Sequence, residues 1–305
     1  MPRWVEVSLQ TDGEAAEAIA QELSEYCHQG LAIEQADIEE GYWDDGDVPP
    51  ATRVIVRGYF HDDENAQATR ENIERVLGYL NMMYPMPQPV FSMVDDADWA
   101  EAWKAHYHPV RLGRRILVRP RWIEVLPNPG DVVITLDPGM AFGTGTHPTT
   151  QLCLEALEDL VQPGLDVLDL GCGSGILAIG AALLGARKIL AVDIDPIAVE
   201  VTEENARENG VGQHIIAQQG SLETVLTSSR RFDLVVVNIL AKVIVPMCAQ
   251  GLGQVVRPGG KAIFSGLIDT QTDEVEAALV ATGLQPLRRR QIGDWMLIET
   301  ARPHA

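Results

Sequence analysis

Residues 167–195 read VLDLGCGSGILAIGAALLGARKILAVDID. A short apolar run, Val167–Leu170, ends in three glycines at alternate positions, Gly171, Gly173 and Gly175. A helix is expected at once over Ile176–Ala186, and a second apolar run, Ile189–Asp193, ends on a carboxylate. Glycines at a strand-to-helix turn let the backbone approach a ligand closely. An acid at the end of the second strand, 22 residues after Gly171, is placed to accept from a ribose diol.

Two cofactor classes share that outline. A dinucleotide site has G-x-G-x-x-G, with the third glycine five positions after the first. Here that position is Ile176, and the third glycine comes one earlier, preceded by Asp169. G-x-G-x-G suits S-adenosylmethionine, which has no pyrophosphate to seat on a helix N-terminus. A glycine turn of purely structural origin does not account for Asp193.

The pattern continues on either side. From about Ile116 apolar runs alternate with helical stretches: Phe232–Asn238 and Lys261–Leu267 read as strands, and Pro196–Asn209 and Asp273–Thr282 as helices. Continuous apolar strands separated by helices imply a parallel sheet covered on both faces. Upstream lies a second glycine-rich stretch, Asp137–Thr150 (DPGMAFGTGTHPTT). No G-K-[ST] closes it, so it is not a phosphate loop. Thr146 or His147 precedes an expected helix with Pro148 at its first position, and the hydroxyl-rich loop reads as a lid or a clamp on the cofactor. Downstream, Phe232–Asn238 delivers Asn238-Ile239-Leu240-Ala241. A side-chain amide there accepts a hydrogen bond from an amine, which makes Asn238 the candidate catalytic residue. Ala241 stands where an aromatic would stack on a flipped base, so an aliphatic amine is the expected acceptor.

The first hundred residues differ in kind. They hold 5 Arg, no Lys and 21 Asp or Glu, a charge of −16, against −5 for the remaining 205 residues and −21 in all. An acidic surface repels phosphate backbones and attracts basic partners. Strands are expected at 3–10, 31–38, 53–60 and 90–94, with helices at 14–27 and 65–83. The order β-α-β-β-α-β indicates a ferredoxin-like α+β domain. Residues 95–106 read as a connecting helix with Trp99 and Trp103 on one face. The division is therefore 1–94, an α+β domain; 95–115, a helical linker; and 116–305, a Rossmann-like class I methyltransferase domain.

The four cysteines are not at metal or redox spacing and read as buried thiols. The histidines do not cluster as a metal site, and no run is long and apolar enough to span a bilayer. The N-terminus lacks a signal pattern. A cytoplasmic monomer that binds neither membrane nor nucleic acid directly is expected.

The segments LDPGMAFGTGTHPTT (136–150), LDLGCGSGILAI (168–179), VDIDP (192–196) and NILA (238–241), with the W-x-x-x-W-K of Trp99–Lys104, resemble the ribosomal protein L11 methyltransferase family. The resemblance is strong over residues 95–270 and looser before them. It implies methylation of lysine side chains and the α-amine of L11, a basic protein substrate gripped by the N-terminal domain. It also implies that Thr150, Gly171, Gly173, Asp193 and Asn238 contact S-adenosylmethionine, with Phe142 and Thr144 in the loop over its methionine end. The alternatives are a methyltransferase for lysines of another protein, or one for nucleic acid. One departure is that Lys242-Val243-Ile244-Val245-Pro246 follows NILA without an early proline, which leaves the shape of that loop open.

Overall fold

The computed structural model of the chain describes residues 3–11, 13–24, 26–27, 31–35, 54–81, 86–95, 108–136, 145 and 147–304. They belong to two units, Met1–His108 and Pro109–Ala305; the division falls within the 95–115 stretch.

In the first unit, β1 (Arg3–Thr11), α1 (Gly13–Ser24), β2 (Leu31–Gln35), β3 (Val54–His61), α2 (Ala66–Leu80) and β4 (Val90–Asp95) form the order read from the sequence. The sheet runs β2-β3-β1-β4 with every pair antiparallel. This is the split βαβ arrangement of a ferredoxin-like domain. Alternation along β1 explains the packing: Val5, Val7 and Leu9 face the helices with Val54, Val56 and Phe60 of β3. Ile19 and Leu23 of α1 and Ile73 and Leu77 of α2 complete that core. On the opposite face, Glu6 accepts from Arg57 Nη1 and from Tyr59 Oη, each at 2.8 Å. Of the helix expected over 95–106, Asp95 instead ends β4, and the remainder, with Trp99 and Trp103, lies outside the described residues.

The second unit opens with β5 (Val110–Leu112), β6 (Ile116–Pro120) and β7 (Val132–Leu136), a three-stranded sheet in that order. Then follow α3 (Pro148–Leu160), β8 (Asp166–Leu170), α4 (Ile176–Leu183), β9 (Lys188–Asp193), α5 (Pro196–Glu208), β10 (Ile215–Gln219), α6 (Leu222–Thr227), β11 (Phe232–Asn238), α7 (Ala241–Gln250), β12 (Val256–Ile268), α8 (Thr272–Ala281), β13 (Gln285–Ile292) and β14 (Trp295–Ala301). The seven-stranded sheet runs β10-β9-β8-β11-β12-β14-β13. The first five strands are parallel to their neighbours, and the β13–β14 hairpin closes the edge antiparallel to β12.

Both faces are covered, as the apolar runs require. Val167, Leu234 and Val236 pack on the side of α3 and α4. Their neighbours Leu168, Val235 and Val237 pack on the other, with Ile244 of α7 and Val275 and Leu279 of α8. α4 is shorter than expected: it ends at Leu183 because Gly185, at φ 111°, turns the chain out of the helix. After Asn238 there is scarcely a loop, since α7 starts at Ala241 and carries Pro246 within it. Among the described residues no helix is long and apolar enough to cross a membrane.

The chain moves outward from β8 to β9 and β10, then returns to lay β11 against β8. Strand order reverses between β8 and β11, and in open α/β sheets ligands bind beyond the strand ends at such a point.

Candidate active site

The turn after β8 and the end of β11 meet at that reversal. Val237 is in register with Leu170, so Asn238 and Gly171 leave the sheet side by side. Gly171, Gly173 and Gly175 have φ of 83°, 51° and 79°. Alternate left-handed residues are what G-x-G-x-G encodes here. Gly171 meets a second constraint: a Cβ on it would lie 2.5 Å from Ile239 Cγ2.

The second strand fixes this turn. Gly171 N and Cys172 N both donate to Val192 O, at 2.7 and 3.1 Å. Asp193 Oδ2 accepts from Gly173 N at 2.9 Å, and its Oδ1 accepts from Asp195 N at 3.1 Å. A carboxylate has about four acceptor sites, so capacity remains for a ligand's hydroxyls. Asp195 caps α5 by accepting from Ile197 N at 2.9 Å. Ile194 and Ile197 stand 75% and 50% exposed beside the carboxylate, an apolar shoulder next to a polar anchor.

α5 supports the turn from below. Thr202 Oγ1 donates to Gly173 O at 3.0 Å, and Asn205 Nδ2 to Ser174 O at 2.9 Å. Asn209, just past the helix, donates to Thr135 O at 2.7 Å and accepts from Thr135 N at 2.8 Å. Three polar side chains three and four residues apart thus tie the glycine turn to β7. Sequence reasoning passed over them, although Thr202 and Asn205 share the helical spacing of a buried face.

Of the upstream glycine segment, Gly145 and His147–Thr150 are described; Phe142 and Thr144 lie outside the described residues. His147 is the N-cap of α3, accepting from Thr149 N at 3.3 Å, with Pro148 at the first helical position. Its ring meets Trp295 of β14 edge-on at 4.6 Å. Burial lowers the imidazole's pKa from 6.5 to about 4, so the ring is neutral at pH 7. A Cβ on Gly145 would lie 3.3 Å from Ile176 Cδ1, so this segment ends against the exit of the glycine turn. Thr150 is fully buried.

Three buried polar atoms, Thr150 Oγ1, Asn238 Oδ1 and Asp169 Oδ1, have no hydrogen-bond partner among the described residues. A buried acceptor left unmade costs about 1–3 kcal/mol. Asn238 Oδ1 is therefore an acceptor held ready at the mouth of the sheet. Asp169 is different: its Oδ2 accepts from Ala178 N at 3.0 Å, and burial raises its pKa from 3.8 to about 7. It braces the first turn of α4 from beneath the glycines. Ala241 is buried at the start of α7 and offers no ring for a base. The four cysteines are free and buried, and among the described residues no group of His, Cys, Asp and Glu is arranged to hold a metal.

This fold and this turn define a Rossmann-like, class I methyltransferase that uses S-adenosylmethionine, carried behind a ferredoxin-like domain. Residues 3–303 match the family described as ribosomal protein L11 methyltransferase (PrmA), and the chain belongs to that family. It is 41% identical over 323 residues to the ribosomal protein L11 methyltransferase of Chloroflexus aurantiacus, with 98% of each chain covered. It is 39% identical to that of Desulfitobacterium hafniense, with 97% of this chain and 96% of the relative covered. The crystal structure of a ribosomal protein L11 methylase from Lactobacillus delbrueckii subsp. bulgaricus is 37% identical. It superposes with a TM-score of 0.60, covering 65% of this chain and 100% of that one.

Proposed function

We propose that this methyltransferase modifies amines of ribosomal protein L11, both lysine side chains and the α-amine. The observation that carries the amine reading is Asn238 Oδ1, a buried acceptor without a partner among the described residues, beside Gly171 at the reversal of strand order.

The residues present fit the cofactor. The Gly171–Gly175 turn leaves room for close approach, Asp193 keeps acceptor capacity for a ribose diol, and the Thr150 hydroxyl is buried without a partner among the described residues. Phe142 and Thr144 are assigned to the loop over the methionine end by their place in the family motif. Bound there, S-adenosylmethionine supplies a methyl carbon made electrophilic by its sulfonium. That methyl would pass to a nitrogen presented by Asn238, with the thioether as leaving group.

Asn238 orients the acceptor by taking a hydrogen bond from an N–H of the neutral amine, without acting as a base. A lysine with a pKa of about 10.4 needs roughly 4 kcal/mol to reach neutrality at pH 7.4, at ~1.36 kcal/mol per unit. Partial burial of the amine and a neighbouring cation lower that cost. Holding nitrogen, carbon and sulfur in line contributes several kcal/mol more. The acidic N-terminal unit is the grip for a basic substrate, with residues 95–115 joining it to the catalytic unit. The enzyme acts as a cytoplasmic monomer and does not bind nucleic acid directly.

Incubating the protein with methyl-labelled S-adenosylmethionine and purified ribosomal proteins tests this. Label in L11, mapped by mass spectrometry to lysine side chains and the N-terminus, is expected. Label confined to another protein, or to RNA, overturns the substrate assignment.

A further inference from the structure

We infer that Ile239 and Gly266 are positioning residues that hold the acceptor amide of Asn238 in register with the glycine turn, through a clamp of one residue between two glycines. The inference rests on the reading of Asn238 given above.

Ile239 follows Asn238 directly, and its two halves touch different strands. Its side chain lies against Gly171, where an added Cβ would come 2.5 Å from Cγ2. Its backbone lies against Gly266 of β12, where a Cβ would fall on the Ile239 carbonyl oxygen, 2.6 Å from its carbonyl carbon and 2.9 Å from its nitrogen. Gly266 has φ 84°, a conformation that other residues rarely adopt. It sits in a bulge, where the β12–β14 register shifts between Phe264 and Leu267. Bulges bend a strand and re-aim the residues beyond them. Here the bend brings β12 against the peptide after Asn238, while Ser265, one residue earlier, is still in register with Asn238. The two contacts close on Ile239 from both neighbouring strands of β11. Asn238 Oδ1 makes no hydrogen bond among the described residues, and this packing holds the backbone that carries it.

The control on β12 is Gly260, towards the other end of the strand. A Cβ there would crowd Arg257 O and Asp233 O at 2.9 and 3.0 Å, a milder backbone clash far from Asn238. The test compares wild type, Asn238→Ala, Gly266→Ala, Gly260→Ala and Ile239→Ala. It reads the S-adenosylmethionine Kd by calorimetry, kcat on purified L11, and the side-chain amide resonance of Asn238 in asparagine-labelled protein, assigned by its loss in Asn238→Ala.

Gly266→Ala is expected to move that resonance and lower kcat on the order of ten- to a hundredfold, with Kd within about threefold of wild type. Gly260→Ala should leave resonance and kcat in place. Ile239→Ala removes atoms instead of adding them, so it should fold even if Gly266→Ala does not, and it should likewise move the resonance and lower kcat about tenfold. An unmoved resonance with wild-type kcat in Gly266→Ala, or in Ile239→Ala should the former not fold, overturns the clamp. Wild-type kcat in Asn238→Ala overturns the reading of Asn238 instead, and the resonance still decides whether the clamp exists.

Discussion

Asn205 Nδ2 donates to the carbonyl of Ser174 at 2.9 Å, so the buried face of α5 determines where the glycine turn lies. Asn205 is 2% exposed, and Thr202, one turn earlier, does the same for Gly173. Replacing Asn205 with leucine keeps the branched shape and removes the donor. The cost should be about 1–3 kcal/mol, read as a fall of roughly 2–10 °C in melting temperature. The turn should also hold the cofactor less tightly. Calorimetry on Asn205→Leu should therefore show lower melting and an S-adenosylmethionine Kd raised severalfold; unchanged Kd would mean that the turn keeps its shape without α5.

Asp193 does two jobs with one carboxylate, holding Gly173 N and Asp195 N while keeping acceptor sites for a ligand. In Asp193→Ala both backbone donors lose their partner and the ribose loses a charged acceptor. Hydrogen bonds to charged groups contribute about 1.5–3 kcal/mol each, so cofactor affinity should fall about tenfold to a hundredfold or more. Gly171→Val should abolish binding outright, because a Cβ at that position meets Ile239 Cγ2 at 2.5 Å on a backbone with φ 83°. Titration of both variants with S-adenosylmethionine checks the order. Wild-type affinity in Gly171→Val would sink the placement of the cofactor.

Much of this arrangement was legible before the structure. The β-α-β-β-α-β order of the first unit, the parallel core, the helix start at Pro148 and the glycine turn all follow from local patterns of period two, period 3.6 and turn chemistry. Other features depend on tertiary neighbours and leave little local trace. β13 reads QPLRRRQI, a polar edge strand with Leu287 exposed, because only one side of it is paired; nothing in that run announces a strand. The β5–β7 sheet uses runs of three to five residues, too short for periodicity to decide. The Gly266 bulge and the Asn205–Ser174 bond join positions 27 and 31 residues apart, so they appear only when the strands are assembled.

Asn238→Ala separates binding from chemistry. Asn238 Oδ1 makes no hydrogen bond among the described residues, so its removal leaves no internal donor stranded, and stability should change little. If the amide orients the amine, kcat on L11 should fall on the order of a hundredfold, the size expected for a lost aligning group, with Kd for S-adenosylmethionine within about tenfold. Asn238→Asp tests the sign: a carboxylate holds the ammonium form and should shift the pH–rate profile to higher pH. Turnover at the wild-type rate in Asn238→Ala removes the residue from the mechanism.

Two buried groups on the α3 and α4 side of the sheet oppose each other in pH. His147 has its pKa lowered from 6.5 to about 4 in the fold. Below pH 6.5 the unfolded chain takes up a proton that the folded one refuses, so this stability is full above 6.5 and is lost as pH falls towards 4. Asp169 has its pKa raised from 3.8 to about 7. Its contribution is full below 3.8 and is lost as pH rises through 7, because the folded state must then bury a charge. At ~1.36 kcal/mol per unit the two effects are worth roughly 3 and 4 kcal/mol. Between pH 4 and 6.5 their slopes cancel. Asp169→Asn keeps an acceptor for Ala178 N and removes the charge, so its melting temperature should exceed the wild type's at pH 8 and lose that advantage by pH 5. Once the asparagine has removed the opposing slope, the His147 effect stands alone, and Asp169→Asn should lose stability steeply from pH 6.5 to 4. Parallel curves for wild type and Asp169→Asn across pH 4–8 would show that Asp169 does not titrate on folding.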